Sequence, residues 1–182
     1  MTQEGICAHP DFGKRILEFR DFVHRKEQMY DDSGHGTHVA GILAGDGRLS
    51  GGTYAGIAPK ASLLIAKVLD QDGNGSVESV LEGMRWVLSM RKKYPIRVVN
   101  ISVGAKPNLE QRQKKRLILG AESLWDAGIA VVASAGNDGP ERGSIASPGD
   151  SRKIITVGAY EYQPDAIMDE KYLEGNKIIQ TW

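Results

Sequence analysis

A histidine bracketed by glycines, in Asp31-Asp-Ser-Gly-His35-Gly-Thr-His38-Val-Ala-Gly41, carries the sharpest chemical signal in the chain. Gly34 and Gly36 let backbone approach His35 closely, and the apolar run Val39–Leu43 reads as a helix. His35 is therefore expected at or just before a helix N-terminus. There the positive end of the helix dipole disfavours an imidazolium and leaves the ring able to accept a proton. A general base needs that property. A histidine capping a buried helix would explain the same pattern without chemistry. A metal pair of His35 with His38 is disfavoured, because the Glu of a His-Glu-x-x-His helix and an evident third ligand are both missing. His38 reads instead as a buried, hydrogen-bonded side chain.

The second signal is Val131-Val-Ala-Ser134-Ala135-Gly136-Asn137-Asp-Gly-Pro140. A strand of small residues runs into a glycine-bracketed turn that projects the Asn137 amide, a neutral donor suited to a developing oxyanion. Alone, an Asn-Asp-Gly sequence is more often just a turn. Asp70-x-Asp72-x-Asn74-Gly75 begins like a calcium loop, but Leu81 stands where the bidentate Glu belongs and a strand precedes it. No metal or cofactor is expected.

These residues must be held by an alternating framework. Ser62–Leu69, Arg97–Ser102, Ile129–Ala133 and Lys153–Val157 read as strands. Ser76 is a plausible N-cap for a helix to about Lys93, with Val77, Val80, Leu81, Met84, Val87 and Leu88 on one face. Asn108 with Gln111 suggests a capping box for a second helix, ending near Ala127 before Gly128. This alternation implies an α/β fold, a mostly parallel sheet with helices on both faces. Functional loops then belong at the carboxyl ends of strands, where Asp70–Gly75, Ser102–Gly104 and Gly136–Pro140 fall.

His35-Gly-Thr-His-Val-Ala-Gly41, Asn100-Ile-Ser-Val-Gly104 and Ser134-Ala-Gly-Asn-Asp-Gly-Pro140, in this order, resemble the subtilisin-like serine protease family (peptidase S8, subtilases). Gly56-Ile-Ala-Pro59, Lys67-Val-Leu-Asp70, Ala146-Ser-Pro148 and Ile155-Thr-Val-Gly-Ala159 add to the resemblance, which covers roughly Gly5 to Ala159. It implies an incomplete subtilisin-like fold and an endopeptidase working through an acyl-enzyme. His35 would be the general base and Asn137 the side-chain donor of the oxyanion hole. Ser102, Val103 and Gly104 would form one wall of the pocket for the residue before the scissile bond, and Ser134, Ala135 and Gly136 the other. Gly73, Asn74 and Gly75 would offer an edge along which an extended polypeptide substrate pairs.

Departures limit what the resemblance carries. The triad Asp of an Asp-Thr-Gly-Ile motif is replaced by Gln3 in Gln3-Glu-Gly-Ile6, and the strand before it is missing. Asp31 and Asp32 match acidic residues beside the His motif and not the triad acid. No Gly-Thr-Ser carrying a nucleophile occurs in the chain. Losing the nucleophile costs about 10⁶ in turnover and losing the acid about 10⁴, figures that come from a member of this family. Only about 10³–10⁴ over water would survive. The chain is therefore expected to be inactive as it stands. The alternative is a non-catalytic module of the same fold that binds extended peptides. A nucleotide-binding domain is disfavoured for want of a Gly-x-Gly-x-x-Gly or a Walker sequence, and an α/β-hydrolase elbow by Asn100.

Lys plus Arg and Asp plus Glu balance at 23 each, which gives no field for nucleic acid or an anionic membrane. The basic run Arg112-Gln-Lys114-Lys115-Arg116 reads as a solvated helix face. Cys7, the single cysteine, excludes an internal disulfide and reads as a small, partly buried side chain. The amino terminus has no basic and apolar leader, which points to the cytoplasm, or to secretion if a signal and prodomain lie upstream. Residues 1–160 are expected to form a partial peptidase domain and 161–182 a divergent charged tail. An open sheet edge, left by the missing first strand, predicts self-association.

Overall fold

The structure, a computed structural model, describes residues 5–105 and 107–159. Gln3, Glu4 and the expected tail of residues 161–182 lie outside the described residues. The chain divides into two units, Met1–Ile96 and Arg97–Trp182.

In the first unit, strand β1 (Ile16–Asp21) pairs in parallel with β2 (Leu63–Lys67), Phe19 opposite Ile65 and Asp21 opposite Lys67. β2 is the expected apolar strand. β1 has no counterpart among the expected strands: Ile-Leu-Glu-Phe-Arg-Asp shows no alternation, and its charges are accommodated by tertiary partners. The Glu18 carboxylate accepts from Lys93 Nζ at 2.6 Å and from the Tyr94 hydroxyl at 2.7 Å. Ile6, Phe12, Ala40 and Ile65 form the core cluster, with Ile16, Phe19 and Leu63 packed against it.

Helix α1 (His35–Ala44) follows a left-handed Gly34, φ 86°, a backbone that an L side chain rarely adopts. Helix α2 (Val77–Met90) starts as expected, with the Ser76 hydroxyl accepting from Ser79 N–H at 3.0 Å. Val77, Val80, Leu81, Met84 and Val87 are buried. Trp86, also buried, meets Phe22 edge-to-face with ring centres 6.1 Å apart.

In the second unit, β3 (Val98–Ile101), β4 (Ala130–Ser134) and β5 (Ile155–Val157) make a parallel ladder in that order. Helix α3 (Gln111–Asp126) connects β3 to β4, packs on β4, and buries Leu117, Ala121 and Leu124 on one stripe. The architecture is the expected α/β one, its parallel strands falling into two ladders. α3 corrects one expectation. Its N-cap is Glu110, without a side-chain cap bond, so Asn108 and Gln111 make no capping box. Arg112, Lys115 and Arg116 are exposed, as a solvated face requires.

Two further expectations are corrected by how faces alternate. α1 buries the small residues Gly36, Ala40 and Ala44, a stripe too narrow to turn the next row inward. His35, His38 and Ile42, at i, i+3 and i+7, share the outer face, so His38 is exposed and not buried. Cys7 is exposed because its neighbour Ile6, fully buried, takes the inward position in an extended segment.

Candidate active site

The first unit builds the surroundings of His35 from one carboxylate. Asp31 Oδ1 accepts from Gly34 N–H at 2.8 Å and Ser33 N–H at 3.2 Å, and Oδ2 accepts from Thr37 N–H at 2.7 Å and the Thr37 hydroxyl at 2.5 Å. An Asx turn is thereby merged with the first turn of α1, where backbone N–H groups have no intrahelical partner. His35 is the first residue of that helix and is solvent-exposed; its own N–H is held by the Ser33 hydroxyl at 3.2 Å. Asp31 has no role of its own in the family motif around His35. A signal is nonetheless present, because an Asp two and three residues before Ser33 and Gly34 is an Asx-turn pattern.

Asp31's carboxyl is held below the usual carboxylate range: burial pushes it up, and the Thr37 hydroxyl and the Thr37, Gly34 and Ser33 N–H groups together outweigh that. A folded-state value below the unfolded one, about 3.9, stabilises the loop above that pH, and the gain vanishes as pH falls through the folded value. Acid should therefore loosen this loop reversibly. In NMR spectra the amides of Ser33, Gly34 and Thr37 are expected to move together on titration to about pH 2. Asp31→Asn should remove that joint movement; amides that titrate unchanged in the variant would contradict the assignment.

The amino-terminal strip lies directly against the loop. Gly5 bridges Asp31 in antiparallel fashion, Ile6 N–H donates to the Tyr30 carbonyl at 3.0 Å, and Cys7 N–H donates to the Thr37 hydroxyl at 2.9 Å. Gln3, expected at the position of the triad acid, lies outside the described residues.

A second carboxylate shapes the expected substrate edge. Asp70 Oδ1 accepts from Asp72 N–H at 3.0 Å and Asn74 N–H at 2.8 Å, while Asp70 N–H donates to the Asn74 carbonyl at 2.8 Å. Gly73, Asn74 and Gly75 form an exposed rim. A Cβ on Gly75 would lie 2.4 Å from the Val68 carbonyl oxygen, so only glycine fits there.

In the second unit, the two expected pocket walls leave neighbouring strands at one end. Ile101 pairs with Ala133, so Ser102–Gly104 and Ser134–Gly136 emerge side by side. A Cβ on Gly104 would lie 3.8 Å from Gly136 Cα, and one loop laces both walls: Ala105 N–H donates to the Ser147 carbonyl and Ala146 N–H to the Ala135 carbonyl. Asn100 Nδ2 donates to the Ser102 hydroxyl, and Gly136 N–H to the Ser134 hydroxyl. Asn137 follows on the exposed turn beyond β4. A Cβ on Gly104 or on Gly136 would lie 2.8 or 2.7 Å from the Ala146 Cβ, so that methyl packs against both segments, while Val103 and Ala135 are buried.

Comparison with known proteins gives one family. The profile of the subtilase family, peptidase S8, matches residues 4–171. Serine protease AprX of Bacillus subtilis (strain 168) is 41% identical over 174 residues, covering 93% of this chain and 39% of that protein. Subtilisin Savinase of Lederbergia lenta is 33% identical over 176 residues, covering 96% of the chain and 60% of that protein. Among solved structures, Sphericase superposes with a TM-score of 0.74 at 28% identity, over 86% of this chain and 51% of that one. The chain thus spans less than two thirds of the length of each of these relatives. None of these names supports the cytoplasmic placement expected above. Among the described residues, no helix is long and apolar enough to cross a membrane.

Proposed function

This chain belongs to the subtilase family, and on that premise we propose that it carries the general base and one oxyanion donor of a serine endopeptidase acting on polypeptides. His35 takes the proton of a nucleophilic serine hydroxyl as that oxygen attacks the scissile carbonyl carbon. The Asn137 amide donates to the oxygen that becomes negative. The tetrahedral adduct collapses, the C–N bond breaks, and the imidazolium of His35 returns its proton to the leaving amine. Water, deprotonated by the same imidazole, then hydrolyses the acyl-enzyme. Ser102–Gly104 and Ser134–Gly136 line the pocket for the residue before the cut. Gly73–Gly75 pairs with the extended substrate.

The observation that carries this reading is the position of His35: first residue of α1, exposed, on a loop whose N–H groups are gathered by the Asp31 carboxylate. The nucleophile lies outside these 182 residues, since no Gly-Thr-Ser occurs among them. Residues 1–160 form the partial peptidase domain in this reading. The outer strand β3, where Val98 is 60% exposed, supports self-association of the chain.

A fluorophosphonate probe with a quenched peptide substrate tests the proposal. The 182-residue chain is expected to take no label and show no turnover. A form extending over the full length of its relatives should be labelled on one serine and hydrolyse the peptide. Labelling of any serine within residues 1–182 would overturn the assignment of the nucleophile.

A further inference from the structure

Lys67 closes β2 with a side chain that is fully buried. Its ammonium donates to Asp32 Oδ1 at 2.6 Å and to the Leu69 carbonyl at 2.7 Å, and it sits 5.0 Å from the centre of the Tyr30 ring. Replacing a buried ion pair by apolar side chains of similar volume is often neutral or stabilising. Stability alone therefore does not account for a charge at this point. An ammonium does something a methyl group cannot: it draws acceptors from separate segments to one position. Asp32 lies three residues before His35, and Leu69 immediately precedes the Asp70 turn that forms the Gly73–Gly75 rim.

The surrounding bonds make the tether stiff. Tyr30, under the ammonium, donates its hydroxyl to Asp21 Oδ2 at 2.7 Å. Asp21, only 3% exposed at the end of β1, also accepts from Val23, His24 and Lys26 N–H. The segment from β1 to His35 is thus fastened at its start by Asp21 and at its end by Asp31. Lys67 fastens it, through Asp32, to β2 and the rim.

We propose that Lys67, through Asp32 and the Leu69 carbonyl, is a positioning residue that fixes the His35 loop to the peptide-pairing rim, so that a disturbance of either is felt at the other. The inference rests on the reading of His35 as base and of the rim as substrate edge, and every contact it uses lies within the first unit.

The test uses the 182-residue chain with isotope-labelled histidine and backbone. Lys67→Met and Asp32→Asn should each move the His35 ring resonances and the Gly73, Asn74 and Gly75 amides together, with unchanged far-UV circular dichroism. Affinity for a blocked alanine tetrapeptide should fall by about ten-fold, the order of effect seen along coupled elements. Arg25→Ala, which breaks the exposed pair with Glu82 in the same unit, should leave both sets of signals in place. If Lys67→Met fails to fold, Asp32→Asn decides, because its side chain is partly exposed. Ring or rim signals that stay at their wild-type positions in a folded variant would overturn the inference. A wild-type chain that binds no tetrapeptide would instead sink the substrate-edge reading, while the joint movement of signals would still report on the tether.

Discussion

Gln3→Asp, made in a form of the protein spanning the full length of its relatives, is expected to raise turnover of a peptide substrate about 10⁴-fold, and His35→Ala to abolish the whole gain. The reason is cooperative chemistry on one ring. An imidazole accepts a proton on one nitrogen only if the other is held as a donor, and a carboxylate at position 3 would hold it and stabilise the imidazolium that forms. On the proposed reading, glutamine at position 3 would give neither service in full, and His35 would work as a poorly oriented base.

The non-additivity is the decisive part. With Gln3 in place His35→Ala should cost only about 10², whereas in the Gln3→Asp variant it should cost about 10⁶, because residues acting as a unit fail together. Asn137→Leu should cost about 10²–10³ in kcat with or without Gln3→Asp and with little change in KM, since an oxyanion donor acts in the transition state and independently of the base. Equal losses on His35→Ala in both backgrounds would mean that position 3 does not serve the imidazole. That result would leave the family assignment intact and remove the triad reading of Gln3.

What is legible in the chain follows from which forces are local. β2, β3 and β4 are made mostly of Val, Ile, Leu and Ala and pair in parallel ladders, and α2 carries both its cap and its stripe in sequence. β1 is hidden because Glu18 and Asp21 find their partners in Lys93, Tyr94 and Tyr30, far along the chain or across a loop. The exposure of His38 and Cys7 depends on which neighbour takes the inward place, Ala40 in a helix and Ile6 in an extended strip. At the candidate site, His35, Asn137 and both pocket walls are proposed from motif alone. The carboxylates that hold the loops cannot be named that way, because Asp31 and Asp70 act on backbone N–H groups, which nearly every residue supplies.

Gly36→Ala should be the most damaging small substitution in the His35 segment, at about 3–5 kcal/mol. A Cβ there would lie 2.2 Å from the Gly5 carbonyl oxygen and 3.0 Å from Gly5 N. Both are backbone atoms, so no side-chain rotation relieves the overlap. The amino-terminal strip would have to leave the loop, giving up Ile6 N–H to Tyr30 and Cys7 N–H to Thr37 and uncovering Ile6. Two glycines of the same segment act as internal controls. A Cβ on Gly34 meets nothing within 4 Å, so Gly34→Ala should cost only its left-handed backbone, about 1–2 kcal/mol. Gly41 lies within α1 with open space around it, and Gly41→Ala should stabilise by about 0.5–1 kcal/mol. Urea midpoints read the order, and hydrogen exchange at the Ile6 and Cys7 amides reads the place, with faster exchange expected in Gly36→Ala alone. If Gly34→Ala proved the costlier change, or if those two amides kept their protection in Gly36→Ala, the strip would not be what holds the His35 loop.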